Sequence, residues 1–174
     1  MIGGYMTEGD QIKTFQAMAD TSRKWITALD AKAGFLVAIN GALLAFIWTS
    51  AKLPDNQSQW VKSLAYVASV LAFLSLLIAM LTVFPRIKLD TKPTVAHISF
   101  YGYVASKYAE GDGARFVSDA LAMSDADLVR EALEQHHAIS HVAMIKNGGV
   151  MYAAGFWIAA LIFTLVDVVC RALG

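Results

Sequence analysis

Residues 33–50 read Ala-Gly-Phe-Leu-Val-Ala-Ile-Asn-Gly-Ala-Leu-Leu-Ala-Phe-Ile-Trp-Thr-Ser, and this stretch contains no charged side chain. An α-helix rises about 1.5 Å per residue and the apolar core of a bilayer is about 30 Å thick, so the stretch is just long enough to cross it. Asp30 and Lys32 stand directly before it, where a helix would leave the lipid headgroups. The stretch therefore predicts a first transmembrane helix.

Small residues recur within this helix at spacings of three and four, which allows helix backbones to approach closely in lipid. Because hydrocarbon offers an amide no hydrogen-bond partner, Asn40 at mid-depth should face another helix. The alternative is that the small residues reflect ordinary transmembrane composition. Six residues are predicted to lie at helix contacts, within one chain or between copies of a homo-oligomer: Asp30, Lys32, Gly34, Asn40, Gly41 and Gly155.

The whole chain has the composition of a membrane protein. Of its 174 residues, 57% are hydrophobic, against about 45–50% in soluble domains. A second charge-free run ends at Pro85, and a third begins at Gly148. We predict an all-α membrane protein with three transmembrane helices, in which long first and last helices extend into a small helical cytosolic region. The predicted segments are an N-terminal helix 1–32, spans 33–50, 63–84 and 148–171, an external loop 51–62 and a cytosolic region 85–147.

Lysine and arginine are distributed unevenly among the connecting segments. The loop 51–62 contains only Lys52 and Lys62, and the C-terminal tail contains only Arg171, whereas the N-terminal flank and residues 85–147 contain all the others. Positively charged loops stay in the cytoplasm. The charges therefore predict a cytoplasmic N-terminus and a C-terminus on the outer side.

The sequence contains no recognisable catalytic motif, so we predict a non-enzyme without catalytic residues, cofactor or metal. His137 and His141 have the i,i+4 spacing that can hold one metal ion, but two histidines are too few ligands, and a solvated or inter-helix role is favoured. The chain contains one cysteine, Cys170, so no intrachain disulfide is possible. With 14 basic and 14 acidic residues the formal charge is zero, which gives no field that would steer the chain to nucleic acid.

The region 85–147 interleaves basic and aromatic residues. Arg86 and Lys88 follow the second span, and Phe100 and Tyr101 lie about a dozen residues further on. A nucleotide needs a cation or backbone amides for its phosphate and a flat surface for its base, so these four residues are the predicted ligand site. The competing interpretation is that the cations only set topology and the aromatics only fill a small core.

Five short motifs, in this order and spacing, resemble the transmembrane effector of the Pycsar anti-phage system. They are Asp30-Ala31-Lys32-Ala33-Gly34, Asn40-Gly41, Pro85 after the second span, Ile98-Ser99-Phe100-Tyr101-Gly102, and Lys146 at the start of the last span.

The resemblance implies a multi-pass protein of the bacterial inner membrane and a partner enzyme, a pyrimidine nucleotide cyclase. It also implies activation by cyclic UMP or cyclic CMP, after which the effector impairs the membrane and the cell stops growing or dies. A constitutive membrane scaffold, or a small channel or transporter subunit without a nucleotide ligand, is the alternative.

Overall fold

The computed structural model describes residues 8–50, 58–84 and 95–173, and the regular structure within these ranges is helical. Three helices, α1, α2 and α5, are long and apolar enough to cross a membrane. The predicted all-α class with three spans and long first and last helices is confirmed. The helices are α1 Glu8–Ser50, α2 Gln59–Val83, α3 Tyr101–Lys107, α4 Gly113–Leu121 and α5 Asp125–Leu173.

The long helix α5 begins at a capping box formed by Ser124 and Asp127. The backbone N–H of Asp127 donates to Ser124 Oγ at 3.2 Å, and the backbone N–H of Ser124 donates back to Asp127 Oδ2 at 3.3 Å. These reciprocal bonds satisfy amide groups that the first helical turn otherwise leaves open. The Ser124 hydroxyl also donates to Asp127 Oδ2 at 2.7 Å. This bond, followed by that of the Ser124 amide, lowers the pKa of the Asp127 carboxyl because both stabilise its charged form.

Contacts within the chain define two compact units. Unit 1 consists of the described residues of Met1–Lys24 and Ile87–His141, and unit 2 consists of those of Trp25–Arg86 and Val142–Gly174. Unit 2 contains the apolar parts of α1, α2 and α5, whereas unit 1 contains α3, α4 and the polar ends of α1 and α5.

In unit 2, α1 and α2 each bury a stripe of residues whose spacing alternates between three and four. This period is typical of left-handed helix packing. On α2 the stripe consists almost entirely of small residues, so the neighbouring helices can approach its backbone closely. The buried residues are Leu29, Ala33, Leu36, Asn40, Leu43 and Ile47 on α1; Leu64, Ala65, Ala68, Ala72, Ser75 and Ala79 on α2; and Lys146, Ala153, Ala160, Thr164 and Asp167 on α5.

Two apolar clusters give the direction of the helices in unit 2. One brings Leu43 and Ile47 of α1 against Ala65 and Ala68 of α2, and Ala160 of α5 belongs to the same cluster. The other joins Leu36, Ala79 and Ala153. Residue numbers rise along α1 as they fall along α2, so these helices are antiparallel, and α5 is likewise antiparallel to α2.

Candidate functional site

A fully buried amide joins the three helices of unit 2. Asn40 Nδ2 on α1 donates to Ser75 Oγ on α2 at 2.8 Å, and Ser75 Oγ donates in turn to the backbone carbonyl of Ala153 on α5 at 2.6 Å. Asn40 Nδ2 also donates to Leu36 O in its own helix at 2.7 Å. The expectation that Asn40 faces another helix is confirmed, and we call this group the asparagine contact.

One atom of the asparagine contact is not satisfied. Asn40 is 0% exposed, and its Oδ1 has no hydrogen-bond partner among the described residues. Leaving a buried acceptor unpaired costs about 1–3 kcal/mol. The packing of unit 2 therefore retains a polar atom that a rearranged helix contact could satisfy.

A buried lysine makes a second three-helix contact in unit 2. Lys146 on α5 is 7% exposed and its ammonium donates to Asp30 Oδ1 on α1. The same ammonium donates to the carbonyl of Thr82 at 3.0 Å and points at that of Val83 at 3.4 Å, in the last turn of α2. A cation at this end of a helix both satisfies open carbonyls and complements the helix dipole. We call this group the lysine contact.

Gly149 lies one turn along α5 from Lys146, against the same end of α2. A Cβ at this position would collide with Thr82 Oγ1 and lie 3.2 Å from both Thr82 Cβ and Thr82 Cγ2. The close approach of α5 to α2 therefore requires glycine here, whereas a Cβ at the adjacent Gly148 would meet nothing within 4 Å.

The predicted contact residues of α1 divide between two faces. Asp30 and Asn40 face the other helices of unit 2, whereas Gly34 and Gly41 lie on exposed surface with nothing within 4 Å of an added Cβ. The two glycines and Asn40 lie on different faces of α1, because the buried stripe at 33, 36, 40, 43 and 47 excludes positions 34 and 41.

Lys32 is exposed, and a Cβ at Gly155 would likewise meet nothing within 4 Å. Contacts of Gly34, Gly41 and Gly155 between copies of the chain stay a prediction. The sequence reasoning missed Ser75 and Thr82, although Ser75 continues the alternating small-residue stripe of α2.

Unit 1 contains an open pocket of about 470 Å³ formed by α3, α4 and the segment before α3. Its aromatic wall consists of Tyr108 and Phe116, whose rings meet edge to face with centroids 5.3 Å apart. The pocket is also lined by Ser99, by Gly113 at the start of α4 and by two acidic residues. The carboxylates belong to Glu110 and Asp112.

Lys107 provides a cation beside the aromatic wall of the pocket. Lys107 Nζ lies 5.3 Å from the centroid of the Tyr108 ring and 5.4 Å from that of Tyr103. Hydrogen bonds to Tyr103 and Tyr108 raise the pKa of Lys107, so the ammonium remains charged well above neutral pH. Burial, and then a 2.9 Å hydrogen bond from Tyr108 Oη to Asp119 Oδ2, raise the pKa of Tyr108.

A buried carboxylate connects this pocket to the first helix within unit 1. Glu131 is 2% exposed, and its Oε1 accepts hydrogen bonds from the Ser99 amide at 2.8 Å and from Gln135 Nε2 at 2.9 Å. The side-chain oxygen of Gln135 accepts a hydrogen bond from Arg23 Nη2 of α1 at 2.9 Å. A change at Ser99 therefore reaches α1 through three consecutive polar contacts.

The predicted ligand residues are only partly described. Arg86 and Lys88 lie outside the described residues, and so does the side chain of Tyr101, whose backbone begins α3. Phe100 is the N-cap of α3, and its ring covers Gly102 so closely that a Cβ there would lie 2.7 Å from Phe100 Cε1. Among the described residues, the aromatic side chains that line the pocket are those of Tyr108 and Phe116, which the candidate set did not include.

The long apolar helices and the polar contacts that join them define an α-helical membrane protein. The chain belongs to the Pycsar effector family, since the model described as the Pycsar effector protein domain matches residues 14–171. This confirms the resemblance seen in the sequence and gives the chain a role as an anti-phage effector. Comparison with curated proteins and with solved structures gave no match.

Proposed function

We propose that this membrane protein is a non-enzymatic effector that a cyclic pyrimidine mononucleotide, cyclic UMP or cyclic CMP, activates to impair the bacterial inner membrane. A pyrimidine nucleotide cyclase would supply the ligand. The observation that carries the proposal is the extent of the family match, which includes both the three long apolar helices and every residue of the unit 1 pocket.

The chemistry of the pocket supports its assignment to the nucleotide. Its volume of about 470 Å³ lies within the range of about 300–1,000 Å³ that is usual for small-molecule sites. Tyr108 and Phe116 offer a surface for base stacking, and Lys107 offers a cation for the phosphate. The carboxylates of Glu110 and Asp112 disfavour the phosphate, but they can accept the N–H groups on the edge of a pyrimidine.

The contacts of Ser99 supply a route by which binding could alter the membrane helices. A ligand that moves the Ser99 amide changes a hydrogen bond to the buried Glu131, and through Gln135 it changes the contact with α1. Both α1 and α5 continue from unit 1 into unit 2 without a break in the helix. To shift two arrangements from 1:99 to 99:1, the ligand needs about 5.5 kcal/mol of differential affinity.

The unpaired side-chain oxygen of Asn40 supports the proposal that the helices of unit 2 can pack in a second arrangement. Its Oδ1 could gain a donor if α1 rotated or met another copy of the chain, and such a gain would offset part of the cost of opening the packed helices. Assembly through the exposed face of Gly34 and Gly41 is one way to disrupt a bilayer.

Calorimetry on the full chain in detergent micelles tests the ligand site. Phe116→Leu should weaken cyclic nucleotide binding about 5-fold to 150-fold, because base stacking on an aromatic ring is worth about 1–3 kcal/mol. Val117→Leu is the matched control, since this neighbouring side chain is 52% exposed and does not line the pocket. Arg86→Ala and Tyr101→Ala test the site predicted from the sequence, and wild-type affinity in both would remove those residues from it.

Membrane action is tested separately by measuring dye release from vesicles that contain the protein, with and without cyclic UMP or cyclic CMP. Nucleotide-dependent release from wild type and its loss in Phe116→Leu support the proposal. Equal release with and without nucleotide favours a constitutive channel. Reporter fusions after residues 56 and 113 test the orientation, which requires the outer side for the first and the cytosol for the second.

A further inference from the structure

Two exposed histidines on α5 bring their ring nitrogens close together, and neither of them lines the pocket. His137 and His141 lie one helical turn apart, and their Nε2 atoms are 3.3 Å apart. The ring centroids are separated by 4.6 Å and the ring planes are inclined by 73°. Both side chains belong to unit 1 and both are exposed.

The separation of the nitrogens matches that of two ligands on one metal ion. Two nitrogens that each lie about 2.0–2.1 Å from a tetrahedral zinc ion are about 3.3–3.4 Å apart. Without an ion, one ring can donate an N–H···N hydrogen bond to the other at this distance, and a bound ion would take the place of that proton. With the proton of each neutral ring on Nδ1, both Nε2 atoms can act as metal ligands.

We propose that His137 and His141 form a two-histidine site for a divalent transition-metal ion of the zinc, nickel or copper type. Imidazole nitrogen suits these ions, and the spacing i,i+4 places both ligands on one helix face. The described residues contain no group of three or more histidine, cysteine or acidic side chains that could hold a metal. The pair therefore provides half of a tetrahedral ligand set, and water or the same pair of a second copy completes it.

The neighbouring His136 differs from the pair and provides the control. Its Nδ1 lies 3.2 Å from Ser22 Oγ on α1, so its ring is turned towards another helix and does not share the space between His137 and His141. If any single imidazole could bind the metal ion, replacing His136 and replacing His137 would weaken metal binding equally. An affinity that came from the pair would fall only with the latter.

The test uses the full chain without a polyhistidine tag, in detergent micelles at pH 7.5, titrated with zinc chloride in a calorimeter. Wild type should bind one ion per chain, or one per two chains if two copies share the ion. His137→Ala and His141→Ala should each weaken binding at least about tenfold, because losing groups that merely orient a ligand already costs about 10–100-fold. His136→Ala should bind as wild type does.

Electron paramagnetic resonance of the copper-loaded protein counts the bound nitrogens directly. Signals from two imidazoles per copper in wild type and from one in His137→Ala would support the site. Alanine favours a helix, so these variants should keep α5 intact, and circular dichroism checks this. The proposal is overturned if wild type binds no zinc, if the pair variants bind zinc as wild type does, or if His136→Ala weakens binding as much as they do.

Discussion

Gly149→Ala tests the contact between α2 and α5. The added Cβ would collide with Thr82 Oγ1 and lie 3.2 Å from the Cβ and Cγ2 atoms of the same residue. Threonine is stiff at χ1, and its Oγ1 already donates to Ile78 O at 2.8 Å. Rotation of this side chain therefore breaks a hydrogen bond without clearing the space, so the two helices must separate.

The expected cost is that of overpacking, about 1–3 kcal/mol. Replacing glycine by alanine also raises helix propensity by up to about 1 kcal/mol, and this gain must be removed from the comparison. Gly148→Ala is the matched control, because it adds the same methyl group to the same helix where nothing lies within 4 Å. The difference between the two variants isolates the steric cost, a factor of about 5 to 150 in the folding equilibrium.

Reversible unfolding in mixed micelles, followed by tryptophan fluorescence, measures these differences. Trp157 packs against both apolar clusters of unit 2 and should report their separation. Thr82→Ala in the Gly149→Ala background removes Oγ1 and Cγ2 and should restore most of the lost stability, which a double-mutant cycle detects. If Gly149→Ala is as stable as Gly148→Ala, or if Thr82→Ala gives no relief, the close approach of α2 and α5 is refuted.

Three further predictions concern the polar contacts. Ser75→Ala should lower the free energy of unfolding by about 1 kcal/mol in the same assay, whereas Ser69→Ala, whose hydroxyl bonds only within α2, should change it little. Lys146→Met should lower the free energy of unfolding by about 1.5–3 kcal/mol, because charge-assisted hydrogen bonds are lost. Lys32→Met, on the exposed face of α1, should not change it, and equal effects of the two substitutions would contradict the lysine contact. The lowered pKa of Asp127 means that its stabilisation of the start of α5 is present above the unfolded pKa of about 4 and is lost as pH falls through the folded pKa. The protection factors of the first-turn amides, which are their exchange rates corrected for the intrinsic rate at each pH, should therefore fall on acidification in wild type, and Asp127→Asn should abolish that pH dependence.

The sequence by itself determined the helices. A charge-free run that is long enough and contains no proline can cross a bilayer as a helix. In lipid its backbone must satisfy its own hydrogen bonds, and a helix does so between residues that are close in the sequence. The capping box at Ser124 is local in the same sense, since both partners lie within four residues. The motifs behind the family resemblance could also be read directly, and the match over residues 14–171 confirmed them.

Only the tertiary structure decided which face of each helix is buried. Small residues occur on several faces of α1 and α2, so composition alone placed the packing at Gly34 and Gly41 and missed the stripe of α2 that ends at Ala79. The pairing of Lys146 with Asp30 joins residues 116 positions apart, and that of Asn40 with Ser75 joins residues 35 apart. The periodicity of one helix does not show which residue of another helix will contact it, because that depends on the register in which the whole helices pack.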